Sequence, residues 1–188
     1  ITELAKWLLI VSTRSIKLNT FMQRQKHRSR LWLMSSRRDS ASHCFAFEQD
    51  FIGNWRCIPL CVRRKLDLCG VKLKLNHWLE LSQEQRQALV DWPDGADALE
   101  QLRQHLRDCT RSMADGMAKD LPPVSGAPWQ QQAELPAVVQ EAATVRGVAL
   151  TLEQWTQLSE LDRFALCKLV RPGHDHHNLE AAFSEVLV

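Results

Sequence analysis

Apolar residues recur at helical spacing through "LCVRRKLDLC" after Pro59, and the pattern stops at Gly70. Proline at a helix start gives up no hydrogen bond, and glycine past a helix end takes the left-handed conformation freely. The segment therefore predicts a helix from Pro59 to Gly70. "VKLKL" (71–75) alternates apolar and polar positions, a period of two that predicts a short strand or extended piece. A short element then carries Trp78. Ser82 with Gln85 spells a capping box, which opens a helix running to about Asp91. After "WPDG", Leu99, Leu102, Leu106, Cys109 and Met113 recur at steps of three and four. Those steps keep them on one face of a helix over 95–114.

"FAFEQDF" (45–51) alternates briefly and predicts a short strand or an extended lead-in. "DLPPVSGAPW" (120–129) holds Pro and Gly that cannot continue a helix, and it predicts a surface connection. The first pattern then begins again. Pro136 opens a helix that stops at Gly147, "VALTL" (148–152) alternates, and Thr151 with Gln154 caps an element bearing Trp155. Ser159 and Asp162 repeat the cap of Ser82 and Gln85. "DRFALCKLV" predicts a helix broken by Pro172 and Gly173, and "NLEAAFSEVLV" a last amphipathic one.

Aligned without a gap, 59–89 and 136–166 share twelve identities in 31 positions, where average composition gives about two by chance. The matches include Pro59/Pro136, Gly70/Gly147, Trp78/Trp155, Ser82/Ser159 and Arg86/Arg163, the residues that open, stop, cap and fill elements. Each unit presents an apolar face that it cannot bury alone. The expected fold is mainly α: a small helical domain of two pseudo-twofold-related units, 59–89 and 136–166. "VKLKL" and "VALTL" would lie close enough to pair as a tiny two-stranded ribbon.

Charge divides the chain. Residues 1–43 hold nine Lys or Arg against Glu3 and Asp39, while the remainder holds 15 basic and 20 acidic residues, for an overall +2. The reading is therefore a basic segment over 1–43, disordered or translated from upstream of the natural start, and a single helical domain over 44–188. If 1–43 belong to the natural protein, they would suit nucleic acid; otherwise no nucleic-acid partner is expected. The longest apolar run, Trp7 to Val11, is far short of the ~20 residues of a membrane span. Six cysteines in an ordinary globular composition do not make a disulfide framework, and the expected location is a reducing cytoplasm.

Candidate chemistry is sparse. Cys57 and Cys61 in "CIPLC", with Cys69, lack the usual metal-pair spacing. Cys61 aligns with Val138 and Cys167 with Val90, so these thiols occupy apolar slots. His174 and Asp175, in "RPGHDHHN", are the transition-metal candidates. Arg86 and Arg163, each with its tryptophan, Trp78 or Trp155, are the binding candidates, because guanidinium matches the oxygens of nitrate or phosphate. The competing reading makes the tryptophans core and the arginines ion-pair partners. No nucleophile–base pair or phosphate-cradling loop stands out, and no cofactor is expected.

"FEQDFIGNWRCIPLCVRRKLDLCGVKLKLNHW", "RQALVD" and "LTLEQWTQLSELDRFALCKLVRPGH" together resemble the nitrate reductase-associated protein family, found mostly in cyanobacteria. The resemblance runs from about Phe45 to the C-terminus; "HDHH" departs from the family's "HEN.N". It implies a small protein encoded near assimilatory nitrate reductase and molybdopterin-biosynthesis genes, with no catalytic residues to carry over. The implied function is that of a non-catalytic accessory protein of nitrate assimilation. It would contact nitrate reductase or a molybdenum-cofactor biosynthesis protein. The alternative is a small oxyanion- or metal-binding protein of the same pathway.

Overall fold

The computed structural model describes residues 41–171 and 178–187, within one unit, Asp39–Val188. Most of the basic segment (1–40), and His174 and Asp175 of the metal candidate, lie outside the described residues. The architecture is mainly helical with one small two-stranded antiparallel sheet. In chain order, a 3₁₀ turn Ala46–Glu48 leads into α1 (Gln49–Ile52), α2 (Leu60–Cys69), β1 (Val71–Lys72), α3 (Leu75–Glu80), α4 (Gln83–Asp91) and α5 (Ala96–Thr110). There follow β2 (Lys119–Asp120), a 3₁₀ turn Pro128–Gln130, α6 (Ala137–Val145), α7 (Leu152–Gln157), α8 (Glu160–Leu169) and α9 (Leu179–Val186).

Local chemistry sets the bounds. Pro59 and Pro136 are N-caps, one position before the first helical residue, and the Pro59 carbonyl accepts from Arg63 N at 2.9 Å. Gly70 and Gly147 stop α2 and α6 in the left-handed region, at φ 67° and 68°. Reciprocal capping boxes open α4 (Ser82 with Gln85), α7 (Thr151 with Gln154) and α8 (Ser159 with Asp162), satisfying N–H groups that a helix leaves unpaired. Thus α2, α3 and α4 have counterparts in α6, α7 and α8 at the offset that relates Pro59 to Pro136.

The ribbon exists, but its expected pairing is corrected: Val71 pairs with Asp120 and Lys72 with Lys119, in place of the two alternating segments with each other. In the second unit the chain is consumed locally. Gly147 N donates to Thr144 O and Val148 N to Ala143 O, both at 3.0 Å, a Schellman closure. Thr151 is already the N-cap of α7, so almost no extended chain is left between. In the first unit Leu75 begins α3, leaving only 71–74 before it.

The segment 120–129 is likewise more than a surface connection. Leu121 N donates to Gly70 O at 2.8 Å, Val124 N to Asp67 O at 2.9 Å, and Trp129 is buried. "FAFEQDF" is helical rather than extended. The N–H groups a strand would offer a neighbour go to carboxylates: Ala46 and Phe47 donate to the two oxygens of Glu185, at 2.8 and 3.1 Å.

The core forms two clusters. One holds Trp78, Leu89, Val90, Leu102 and Leu106 and takes in Leu161, Phe164 and Ala165 from α8. The other holds Val139, Ala143, Trp155, Leu166, Leu179 and Phe183. Helix α8 therefore lies between them, and it packs against α2 and α9. Charged groups fasten the α2–α8 seam. Buried Arg64 donates to Asp94 and to Glu160, the first residue of α8, and Lys168 reaches Asp67 at 2.8 Å.

Candidate functional site

Two tryptophan–arginine pairs sit at matching positions of the two sequence repeats. Trp78 and Trp155 are fully buried on short helices of six residues each. A helix that short has most of its carbonyls unpaired, because the last four have no partner within it. The arginine eight positions further on supplies donors. Arg86 Nε donates to Trp78 O at 2.8 Å, its Nη2 to Leu79 O at 2.6 Å, and its Nη1 to Trp55 O at 3.5 Å. Arg163 Nη1 donates to Leu158 O, the C-cap carbonyl of α7, at 2.6 Å, and its Nε to Trp129 O at 3.0 Å.

Each guanidinium also lies over its own tryptophan, 5.8 Å from the Trp78 ring centre and 5.9 Å from that of Trp155, within cation–π range. The indoles are anchored at their polar ends: Trp78 Nε1 donates to Trp55 O at 2.9 Å and Trp155 Nε1 to Gln131 O at 3.0 Å. Burial draws the Arg163 value down from its ordinary one, but a guanidinium stays charged. The structure thus brings Arg86 to Trp78 and Arg163 to Trp155, with the two tryptophans in separate core clusters. Chemically, each arrangement closes a helix end and places a cation on an aromatic face.

Two further tryptophans enter these sites, and neither follows from the repeat. Trp55 takes a left-handed conformation, φ 59°, a strained choice for a bulky residue. Its carbonyl accepts from both Trp78 Nε1 and Arg86 Nη1. Trp129 presents its carbonyl to Arg163 and meets Phe164 edge-on at 5.1 Å. Their only signal in the sequence is a tryptophan in each of two turn-rich stretches, "GNWR" and "GAPW".

Other buried polar groups also escaped the sequence reading. Lys65 is fully buried and donates to Val90 O at 2.6 Å and Leu89 O at 3.3 Å, at the end of α4. Desolvation lowers its pKa. His77 is buried, and its Nδ1 accepts from Lys74 N at 3.3 Å. All six cysteines are free thiols, and among the described residues no group of three or more His, Cys, Asp or Glu is arranged to hold a metal ion.

Glu48 is buried where it accepts from Leu60 N, the first N–H of α2, at 2.9 Å and from Phe45 N at 3.4 Å. Desolvation pushes its carboxyl up from 4.5 to about 7, against the opposing pull of those N–H groups. A carboxyl raised on folding keeps its proton longer in the folded chain. Stability should therefore be highest at or below pH 4.5 as far as this group is concerned, and should fall as pH rises to about 7. The loss is up to about 3 kcal/mol at ~1.4 kcal/mol per pH unit. Urea melts of the natural chain and of Glu48→Gln at pH 5 and pH 8 check this; the variant should lose most of the difference.

A family model described as conserved nitrate reductase-associated protein matches residues 44–186. No curated protein and no solved structure matches the chain. No helix among the described residues is long and apolar enough to cross a membrane.

Proposed function

The chain belongs to the conserved nitrate reductase-associated protein family, and from that premise we propose that it is a non-catalytic accessory protein of nitrate assimilation. It acts by protein contact on assimilatory nitrate reductase or on the supply of its molybdenum cofactor. The observation that carries this reading is the match of the family over 44–186. The partners of the buried polar side chains support it: Arg163, Lys65 and Glu48 are taken up by backbone groups of the fold itself. Six free thiols support a reducing cytoplasm as the place of action.

Capture of the tagged protein from nitrate-grown cells tests the reading. It should retain nitrate reductase or a molybdenum-cofactor biosynthesis protein, and the interaction should survive in purified components. A strain lacking the protein should grow normally on ammonium and slowly on nitrate. Capture of neither partner, together with normal growth on nitrate, would overturn the proposal.

A further inference from the structure

The two sulfurs of Cys44 and Cys61 touch, 3.6 Å apart, in the core at the start of α2. No other pair of cysteine sulfurs makes such a contact among the described residues. Cys69 and Cys109 each turn to a carbonyl three residues back, Leu66 O at 3.6 Å and Leu106 O at 3.5 Å, as thiols filling helix faces do. We propose that Cys44 and Cys61 form a dithiol that a disulfide-bearing oxidant converts to an intramolecular disulfide by thiol–disulfide exchange.

The surroundings suit the two thiols to different steps. Cys44 lies in the lead-in before the first 3₁₀ turn, outside any helix, and is 8% exposed, whereas Cys61 is wholly buried. Cys44 meets the oxidant first: its thiolate attacks one sulfur, a mixed disulfide forms, and one thiol leaves. The Cys61 thiolate then attacks Cys44 Sγ, and the second thiol leaves. The pair gives up two electrons and two protons, and one disulfide becomes two thiols. Cys61 is the second residue of α2. Lys65, one helical turn on, is near enough for charge on either sulfur to act on its ammonium. Reduced, Cys44 holds its proton well above the ordinary thiol range because of its hydrogen bond with Cys61 and its burial, so the pair reacts when the lead-in opens.

Bond formation needs the sulfurs to close to about 2.05 Å, a movement the non-helical Cys44 side can make. The closed loop joins residues 17 positions apart in the chain. It contains Glu48 and Trp55, so oxidation would staple the lead-in to α2. A disulfide that ordinarily stays reduced in the cytoplasm and forms under oxidation is of the regulatory kind.

The full-length chain, equilibrated in glutathione buffers of rising oxidised-to-reduced ratio, acid-quenched, alkylated and digested, tests this. A linked Cys44–Cys61 peptide two hydrogens lighter than the free pair should appear, and dithiothreitol should remove it. The melting temperature should rise by roughly 5–10 °C on oxidation. Trypsin leaves Cys57 and Cys61 in one peptide, so Cys57→Ser serves as the control and should keep the link. Cys44→Ala and Cys61→Ala should each abolish it. Failure to form the link at the most oxidising ratio, or a link through Cys57 instead, would overturn the proposal from the natural chain alone, whatever the variants' stability.

Discussion

Gly70→Ala should unfold the protein or destabilise it by more than about 4 kcal/mol, while Gly147→Ala, at the same backbone angle, should cost only about 1–2 kcal/mol. Both glycines end a helix in the left-handed region, φ 67° and 68°, so the backbone strain of adding a Cβ is the same. What differs is the space. A Cβ on Gly70 would stand 2.3 Å from Leu121 O and 2.8 Å from Pro123 N, both backbone atoms, whereas one on Gly147 meets nothing within 4 Å. Backbone yields only by moving as a segment. Moving 121–123 breaks the Leu121 N to Gly70 O bond and pulls on the β1–β2 pairing. Urea unfolding of the two variants gives the comparison directly; equal losses would mean that the 119–124 segment does not pack on the end of α2.

The same two glycines show how far the sequence could be read. Helix ends, caps and the heptad-like face of α5 depend on residues a few positions apart, so Pro59, Gly70, Ser82 and Ser159 mark them openly. Contacts between distant segments carry no such marks. The two alternating segments look like partners because their patterns match. Yet Val71 and Lys72 pair with Lys119 and Asp120, since the second segment spends its backbone on the Schellman closure and the Thr151 cap. "FAFEQDF" alternates like a strand, but Glu48 and Glu185, 137 positions apart in the chain, take its N–H groups and turn it into a helix. In the candidate sites, Trp78, Trp155, Arg86 and Arg163 were visible because the repeat writes them twice. Trp55 and Trp129 serve through their carbonyls, and a carbonyl leaves no trace in residue type. The Cys44–Cys61 contact was hidden for a similar reason: Cys61 reads as an apolar slot by comparison with Val138, and its partner falls outside the repeat.

Arg163→Ala should cost about 3–4 kcal/mol, roughly twice the loss from Arg86→Ala, because Arg163 is the more deeply buried of the two although Arg86 makes one bond more. Arg163 is 6% exposed and Arg86 half-buried. Truncating Arg163 leaves the carbonyls of Trp129 and Leu158 in the interior without that donor and strips the cation from the buried Trp155 ring. Around Arg86, Leu79 is exposed and water can replace the lost donor. Arg163→Lys should recover little, since one ammonium cannot reach two carbonyls in the fork geometry that the guanidinium spans. These losses also separate two roles for the arginines. If they close helix ends, urea melts move and a calorimetric nitrate titration of the natural chain stays flat. If instead they hold an oxyanion, nitrate should bind the natural chain, its binding should vanish in both variants, and stability should stay within about 0.5 kcal/mol. Donors already engaged at 2.6–3.0 Å by the chain's own carbonyls favour the first outcome, because an incoming anion would have to displace bonds that the short helices need to end.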